Sequence, residues 1–175
     1  METNPIGWDA KWKHECIPLI YNNAVETDTG FDLPLYGEID PLSMRVFVQT
    51  VDAGITLEVG LLSTEVGGDA DGFLDAVSVA TAGWVRPRLT FTDATANYIS
   101  AVTYGDLFSC AATLGFKGLA GANGTGTVGQ PWVESHIGDG VAESISYTCL
   151  AGADTFVGFL VFRWRRWPNL ATYLT

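Results

Sequence analysis

The sequence predicts an all-β fold, a β-sandwich or jelly roll with an extended N-terminal arm. Three observations predict it: short segments with alternating apolar and polar residues, 20 glycines in 175 residues to form turns, and no long segment with helical apolar spacing. Alternation with period two is typical of a strand that packs one face on a core. Without helices between the strands, a parallel sheet is disfavoured and antiparallel layers remain. We expect about eight short strands.

Residues 1–43 predict the extended arm. They contain four of the seven prolines and show no sustained periodicity. They also carry Trp8, Trp12 and Tyr21, which make the segment too apolar for a free tail. Two arrangements stay open: the arm wraps around its own domain, or it reaches a neighbouring subunit. The second arrangement makes these three aromatic residues candidates for binding a partner.

Residues 44–175 predict a single sandwich domain, and its clearest local signal is a β-hairpin. Segment 44–51 alternates, with Met44, Val46 and Val48 on one face. A turn at 52–54 follows, and segment 55–63 then alternates in the same way. Period-two patterns around a short turn containing glycine are the usual signature of a hairpin.

The remaining segments predict further short strands. Residues 71–83 combine a cap residue, Asp71, with an alternating end, so we expect a short helical turn followed by a strand. Segments 86–92 and 98–105 each predict a strand. Segments 144–152 and 155–167 predict a second hairpin, and the run 159–162, apolar on both faces, predicts a strand in the centre of a sheet.

Composition excludes several functional classes. The formal net charge is −11, so most of the surface repels nucleic acid and anionic membranes. The longest apolar run is too short to cross a bilayer. The first residues lack the apolar core of a signal peptide, and the odd cysteine count argues against a disulfide framework. We therefore expect synthesis in a reducing cytoplasm.

One basic patch departs from this acidic composition. It is the run of Arg163, Trp164, Arg165, Arg166 and Trp167, which holds three of the nine basic residues. Arginine and tryptophan are the residue types that anchor protein interfaces, so these five positions are candidate partner-binding residues. Two other interpretations stay open: an exposed strand end with aromatic packing, and stacking of single-stranded nucleic acid on the tryptophans.

A glycine-rich loop imitates a nucleotide-binding motif. Gly124, Gly126 and Gly129 have the spacing G-x-G-x-x-G. That motif requires a helix to start inside the loop, so that its N–H groups face a pyrophosphate. Glycines at 138 and 140 leave no room for one. We predict a long turn between strands and no cofactor.

Acidic and histidine-containing motifs predict neither a metal site nor an active site. Asp69 and Asp71 have the spacing of the first two EF-hand ligands, with Asp75 nearby. The glycine comes too early, however, and no glutamate closes the loop, so an acidic turn is expected, and a bound calcium ion at Asp69 and Asp71 stays an open alternative. Ser135 and His136 precede an aspartate at 139, but adjacent strand residues face opposite sides. We expect no enzyme, no catalytic residue, no metal and no small-molecule substrate.

Two longer stretches carry a resemblance to a known family. The runs VGLLSTEVGGDADGFLDAVSVATAG and SISYTCLAGADTFVGFLVFRW resemble head decoration, or cement, proteins of tailed bacteriophages, over roughly residues 44–167. The resemblance implies a homotrimer on the outer capsid surface of the virion that bridges subunits of the major capsid protein. It implies no catalytic residue and assigns no individual contact.

Two other functions stay open. One is a carbohydrate-binding β-sandwich module of a phage fibre or host-attachment protein. Trp84 and Trp132 would supply exposed aromatic surface for a sugar, and Asp139 would supply a hydrogen-bond acceptor. The other is a small hydrolase, although no sequence motif designates its catalytic pair.

Overall fold

The computed structural model describes residues 11–87, 89–91, 99–101, 105, 107–108, 135–141, 143–150 and 155–167. These residues form twelve strands and one 3₁₀ turn, Pro41–Ser43, so the predicted all-β class is confirmed. Within this part of the chain, no helix has the length and apolarity of a membrane span. The strands are β1 (Lys13–Ile20), β2 (Thr27–Asp32), β3 (Gly37–Ile39), β4 (Arg45–Thr50), β5 (Thr56–Leu61), β6 (Leu74–Ser78), β7 (Gly83–Val85), β8 (Leu89–Phe91), β9 (Ile99–Ala101), β10 (His136–Ile137), β11 (Ser144–Leu150) and β12 (Val157–Arg166).

Two antiparallel sheets contain most of these strands. The larger sheet is built on β12, which pairs with β1 along one edge and with β4 and then β3 along the other. Strand β7 extends this sheet beyond β4, and β10 extends it beyond β3. The smaller sheet has the order β2-β11-β5-β6, and β8 and β9 form a separate ribbon. The two layers agree with the predicted sandwich, and its jelly-roll connectivity stays a prediction.

Both predicted hairpins are wrong, although their strands are correct. Strands β4 and β5 lie in different sheets, and so do β11 and β12. Strand β4 pairs with β12 and β5 pairs with β11, so the chain changes sheets after β4 and again after β11. Residues 151–154 of the second predicted turn lie outside the described residues. Buried Asp52 joins the connection after β4 to Thr155, which precedes β12: its carboxylate accepts from the backbone N–H of Gly54 at 3.2 Å and of Thr155 at 3.3 Å.

The segment predicted as an arm is part of the sandwich from Lys13 onward. Strands β1 and β3 pair with β12, and β2 pairs with β11. Leu19, Leu33 and Ile39 are buried in the core, which explains why a segment broken by prolines stays folded on its own domain. Residues 13–39 thus pair with strands of their own chain, and contact of the segment with a neighbouring subunit stays a prediction. Residues 1–10 lie outside the described part of the chain.

The inward face of each strand was predicted correctly where alternation was clear. Val46 and Val48 of β4 are buried, as are Leu57 and Val59 of β5. The expected helical turn near Asp71 is wrong, because the backbone there pairs with β5: the N–H of Phe73 donates to the carbonyl of Val59 at 2.9 Å. The buried apolar residues form one core cluster: Leu19, Leu33, Ile39, Met44, Val46, Val48, Ile55, Leu57, Val59, Leu61, Phe73, Leu74, Val77, Val79, Phe108, Ile145, Tyr147, Cys149, Phe156, Leu160 and Phe162.

A single phenol links the two sheets. Tyr147 lies on β11 of the smaller sheet and is 4% exposed. Its hydroxyl donates to the carbonyl oxygen of Ile20 on β1 at 3.1 Å and lies 3.4 Å from the backbone nitrogen of Ile20. The end of β1 is therefore held against the opposite layer by a side chain.

We predict that Tyr147→Phe lowers the free energy of unfolding by about 1–3 kcal/mol, because the carbonyl oxygen of Ile20 loses its hydroxyl donor in a part-buried position. Urea denaturation followed by tryptophan fluorescence measures the change. Tyr21→Phe is the matched control, since its exposed hydroxyl donates to Asn23 at 3.3 Å and should contribute less. Equal losses in the two variants would contradict the proposed link.

Candidate functional site

The basic patch at the end of β12 forms a stack with Trp12. The guanidinium of Arg165 lies 4.5 Å from the ring centre of Trp12 and 4.1 Å from that of Trp167. Arg163 lies 4.9 Å from the ring centre of Trp12. These distances are within the range of cation–π attraction. Two sequence-predicted groups, Trp12 and the patch, are thus brought together.

Carboxylates of the same chain pair with the cations and indoles of this stack. Asp40 accepts a hydrogen bond from Arg163 Nε. Glu38 Oε2 accepts from Arg165 Nε at 2.5 Å and from Trp167 Nε1 at 2.6 Å. These contacts fasten β3 and the residues around it to β12. They correspond to the interpretation of the patch as a strand end with aromatic packing, and its role in binding a partner stays a prediction.

The other face of β12 makes a similar contact. Trp164 Nε1 donates to Glu15 Oε1 at 2.9 Å, and the ammonium of Lys13 lies 4.9 Å from the Trp164 ring centre. Arg166 is exposed. Tyr21 lies at the opposite end of β1, because Lys13 pairs with Trp164 whereas Ile20 pairs with Val157. The structure therefore does not bring Tyr21 to the patch, and Trp8 lies outside the described residues.

The stack changes the acidity of Glu38. Burial acts to raise the pKa of this carboxyl. Hydrogen bonds from Arg165, Ser135 and Trp167, together with the charge of Arg165, outweigh burial, so the pKa lies below its ordinary value. The ionised form is therefore favoured by folding.

A second surface, which sequence reasoning missed, lies on the outer face of the larger sheet. Register places Pro18 beside Phe159, Phe159 beside Phe47, and Phe47 beside Trp84, in one row across four strands. Trp84 is 52% exposed, and its ring centre lies 5.1 Å from that of Phe47 in an edge-to-face contact. We call these four residues the apolar row. Of these four residues the sequence had singled out only Trp84, and the cross-strand register is what shows that the row is continuous.

Basic residues border the apolar row. The guanidinium of Arg45 lies 4.2 Å from the ring centre of Trp84. Along β12, Val161 comes two residues after Phe159 of the row and pairs with Arg45. Arg163 comes two residues later and pairs with His14. The outer face thus combines exposed aromatic surface with positive charge in a protein of net charge −11.

A cluster of carboxylates lies on the smaller sheet. Glu58, Asp71 and Asp75 each place a carboxylate oxygen within 4.8 Å of the others, and they are the one group of this kind in the described residues. Burial, followed by the charges of Asp71 and Asp75, raises the pKa of Glu58. Sequence spacing had suggested Asp69 with Asp71 and Asp75. Glu58 was missed because the β5–β6 pairing was not predicted.

The histidine motif is arranged differently from a catalytic triad. His136 Nε2 lies 3.2 Å from Glu143 Oε1, and Ser135 hydrogen-bonds Glu38. The other oxygen of Glu143 is buried and has no partner in the part of the chain that the structure describes. Asp139 follows β10 and Trp84 lies on β7. These two strands are at opposite ends of the larger sheet, so the structure does not bring the two residues together. Trp132 and the loop with Gly124, Gly126 and Gly129 lie outside the described residues.

We predict that Glu38→Gln lowers the free energy of unfolding at pH 7 by about 1–3 kcal/mol, because a charge-assisted bond is replaced by a weaker one. Because the pKa of Glu38 is lowered in the folded state, its stabilising contribution is complete above pH 4.5, the ordinary value. The contribution is lost as the pH falls through the folded-state pKa. Urea titrations at several pH values should therefore show the gap between wild type and variant closing in acid. A gap that is independent of pH would contradict the assignment.

Glu58→Gln should act in the opposite direction. Because the folded-state pKa of Glu58 is raised, wild type loses stability as the pH rises from 4.5 through that value. Removing the charge at neutral pH should increase the free energy of unfolding by about 0.2–1 kcal/mol, the scale of a like-charge cross-strand contact. The same urea titrations, in metal-free buffer, measure it, and destabilisation at pH 7 would contradict the repulsion.

Comparison with known proteins gives no relative for this chain. No family model, no curated protein and no solved structure matches it. A functional conclusion therefore rests on the surfaces described above, chiefly the apolar row and its basic border.

Proposed function

We propose that the chain is a structural virion protein that decorates the outer capsid and stabilises contacts between major capsid subunits. The observation that carries the proposal is the apolar row on an otherwise acidic molecule. Half-exposed tryptophan bordered by arginine has the composition of a protein-binding surface. The row lies on a rigid sheet, so little conformational entropy is lost when it is covered.

The proposed mechanism is thermodynamic. A protein that binds only the assembled shell lowers the free energy of that state by mass action, and the shell then melts at a higher temperature. A homotrimer would present three copies of the apolar row to neighbouring capsid subunits and gain from multivalent attachment. The proposed partner is the major capsid protein.

The arginine–tryptophan stack has a supporting role in this proposal. Its cations are paired with Glu38 and Asp40, so it holds β1 and β3 against β12 and keeps the sheet rigid. Arg166, which is exposed, remains available for a rim contact with an acidic partner. We therefore place the main contact on the apolar row, and we assign the stack to preorganisation.

The test uses capsids assembled from the proposed partner, the major capsid protein. We expect wild type to co-sediment with them and to raise their melting temperature. Trp84→Ala should weaken binding about tenfold or more, the loss typical of a central interface tryptophan. Val66→Ala is the control, because Val66 is 82% exposed and follows β5 of the other sheet.

Two outcomes would contradict the proposal. One is a capsid whose sedimentation and melting are unchanged by wild type. The other is glycan-array binding by wild type that Trp84→Ala abolishes, without capsid binding. That second result would favour a carbohydrate-binding module of a fibre or attachment protein.

A further inference from the structure

A cavity of about 270 Å³ opens at the basic end of the outer face. Its walls come from β1, β4, β12, the 3₁₀ turn and the residue after β7. The charged residues among them are His14, Asp40, Arg45, Arg86 and Arg163. Three guanidinium groups thus face one carboxylate, in a chain with only nine lysines and arginines.

The single carboxylate is already occupied. Asp40 accepts from Arg163 Nε, and its other oxygen accepts the backbone N–H of Leu42 at 3.0 Å. Arg45 and Arg86 have no ion-pair partner among the described residues. The cavity therefore keeps an excess of positive charge that the described protein groups do not neutralise.

Arg45 also carries an unused donor. Its Nε is buried and has no hydrogen-bond partner within the described residues. The rest of the guanidinium is held over the Trp84 ring, so it is oriented before any ligand arrives. A buried charged donor without an acceptor lowers the stability of the folded protein. An acceptor supplied by a ligand near Arg45 would therefore be favourable.

Register adds a second cost. Val46 pairs with Val85 and Phe47 with Trp84, so Arg86, the residue after β7, continues the strand edge beside Arg45, and both arginines line the cavity. Like charges directly opposite each other on paired strands destabilise a sheet. An anion between the two side chains would remove this repulsion and would accept hydrogen bonds from their guanidinium groups.

We propose that this cavity is a binding site for a compact oxyanion, a carboxylate or phosphate group. Arg45 and Arg86 supply the main contacts, because planar guanidinium groups match the oxygen geometry of both anions. Arg163 and His14 form the opposite wall. The site does not depend on the capsid role, since it is built entirely from residues of one chain.

The remainder of the molecule makes the site selective. With a net charge of −11, most of the surface repels anions, so nonspecific anion binding is weak. Anion binding to the purified protein therefore reports this cavity and can be measured without capsids.

The test titrates inorganic phosphate and, separately, succinate into the purified chain at low ionic strength, with calorimetry and NMR of the arginine Nε–Hε groups. We expect saturable binding that shifts the Arg45 resonance. The anion that binds more tightly identifies phosphate or carboxylate as the preferred group. Arg45→Gln and Arg86→Gln should each weaken binding about tenfold, the effect of losing one charge-assisted contact.

Arg166→Gln is the matched control, because Arg166 is exposed on the same sheet and does not line the cavity. It removes the same charge and should leave the dissociation constant within about twofold. Arg86 is also exposed, so its variant should fold even if Arg45→Gln does not, and circular dichroism checks both. Absence of saturable binding by either anion overturns the proposal, as does equal weakening in Arg86→Gln and Arg166→Gln.

Discussion

The pairing of β12 along both of its edges is the constraint on which the larger sheet depends. Strand β1 covers one edge from Lys13 to Ile20, and β4 and β3 share the other edge in succession. The side chains of β12 follow from this position. Leu160 and Phe162 point into the core, whereas Phe159 and Val161 belong to the outer face and are only half-buried. Because β12 lies between β1 and β4, outward side chains of these three strands are neighbours on the outer face of the sheet. The apolar row and the basic cavity both depend on this arrangement.

The ends of β12 are stabilised by different means. At its start, Thr155 is held to the connection after β4 by Asp52, a buried carboxylate that accepts from the backbone N–H groups of Gly54 and Thr155. At its end, the burial of apolar side chains is incomplete, and the strand is held by arginines stacked on indole rings. The carboxylates of Asp40 and Glu38 neutralise Arg163 and Arg165 there, because the two unpaired guanidinium groups would otherwise repel each other. An interior hydrophobic layer and a peripheral polar network thus fix the same strand.

The sequence was sufficient to predict the all-β class and the inward faces of β4 and β5, because alternation is a local property. It was not sufficient for pairing. Segments 44–51 and 55–63 look like a hairpin, since the turn between them is short. The chain crosses between the sheets because β4 pairs with the distant strand β12 and β5 pairs with β11. The hydrogen bond between Asp52 and Thr155 also depends on this long-range arrangement. The same limitation hid Glu58 from the acidic cluster and hid the row from Pro18 to Trp84, since cross-strand neighbours are set by register. Arginines 163 and 165 were identified, but their partners Glu38 and Asp40 were not.

The order of strands along the chain has a consequence for biosynthesis. During translation, β1, β3 and β4 leave the ribosome well before β12, the strand with which all three pair. The edges of these strands that face β12 therefore stay unpaired until about residue 166 has been made, although β7 and β10 can pair earlier with the other edges of β4 and β3. Closure then requires loops spanning more than a hundred residues in each case. Such long-range pairing is slow. The nascent chain is consequently most vulnerable to aggregation just before its larger sheet can close, and chaperones that shield unpaired strands would act in that interval.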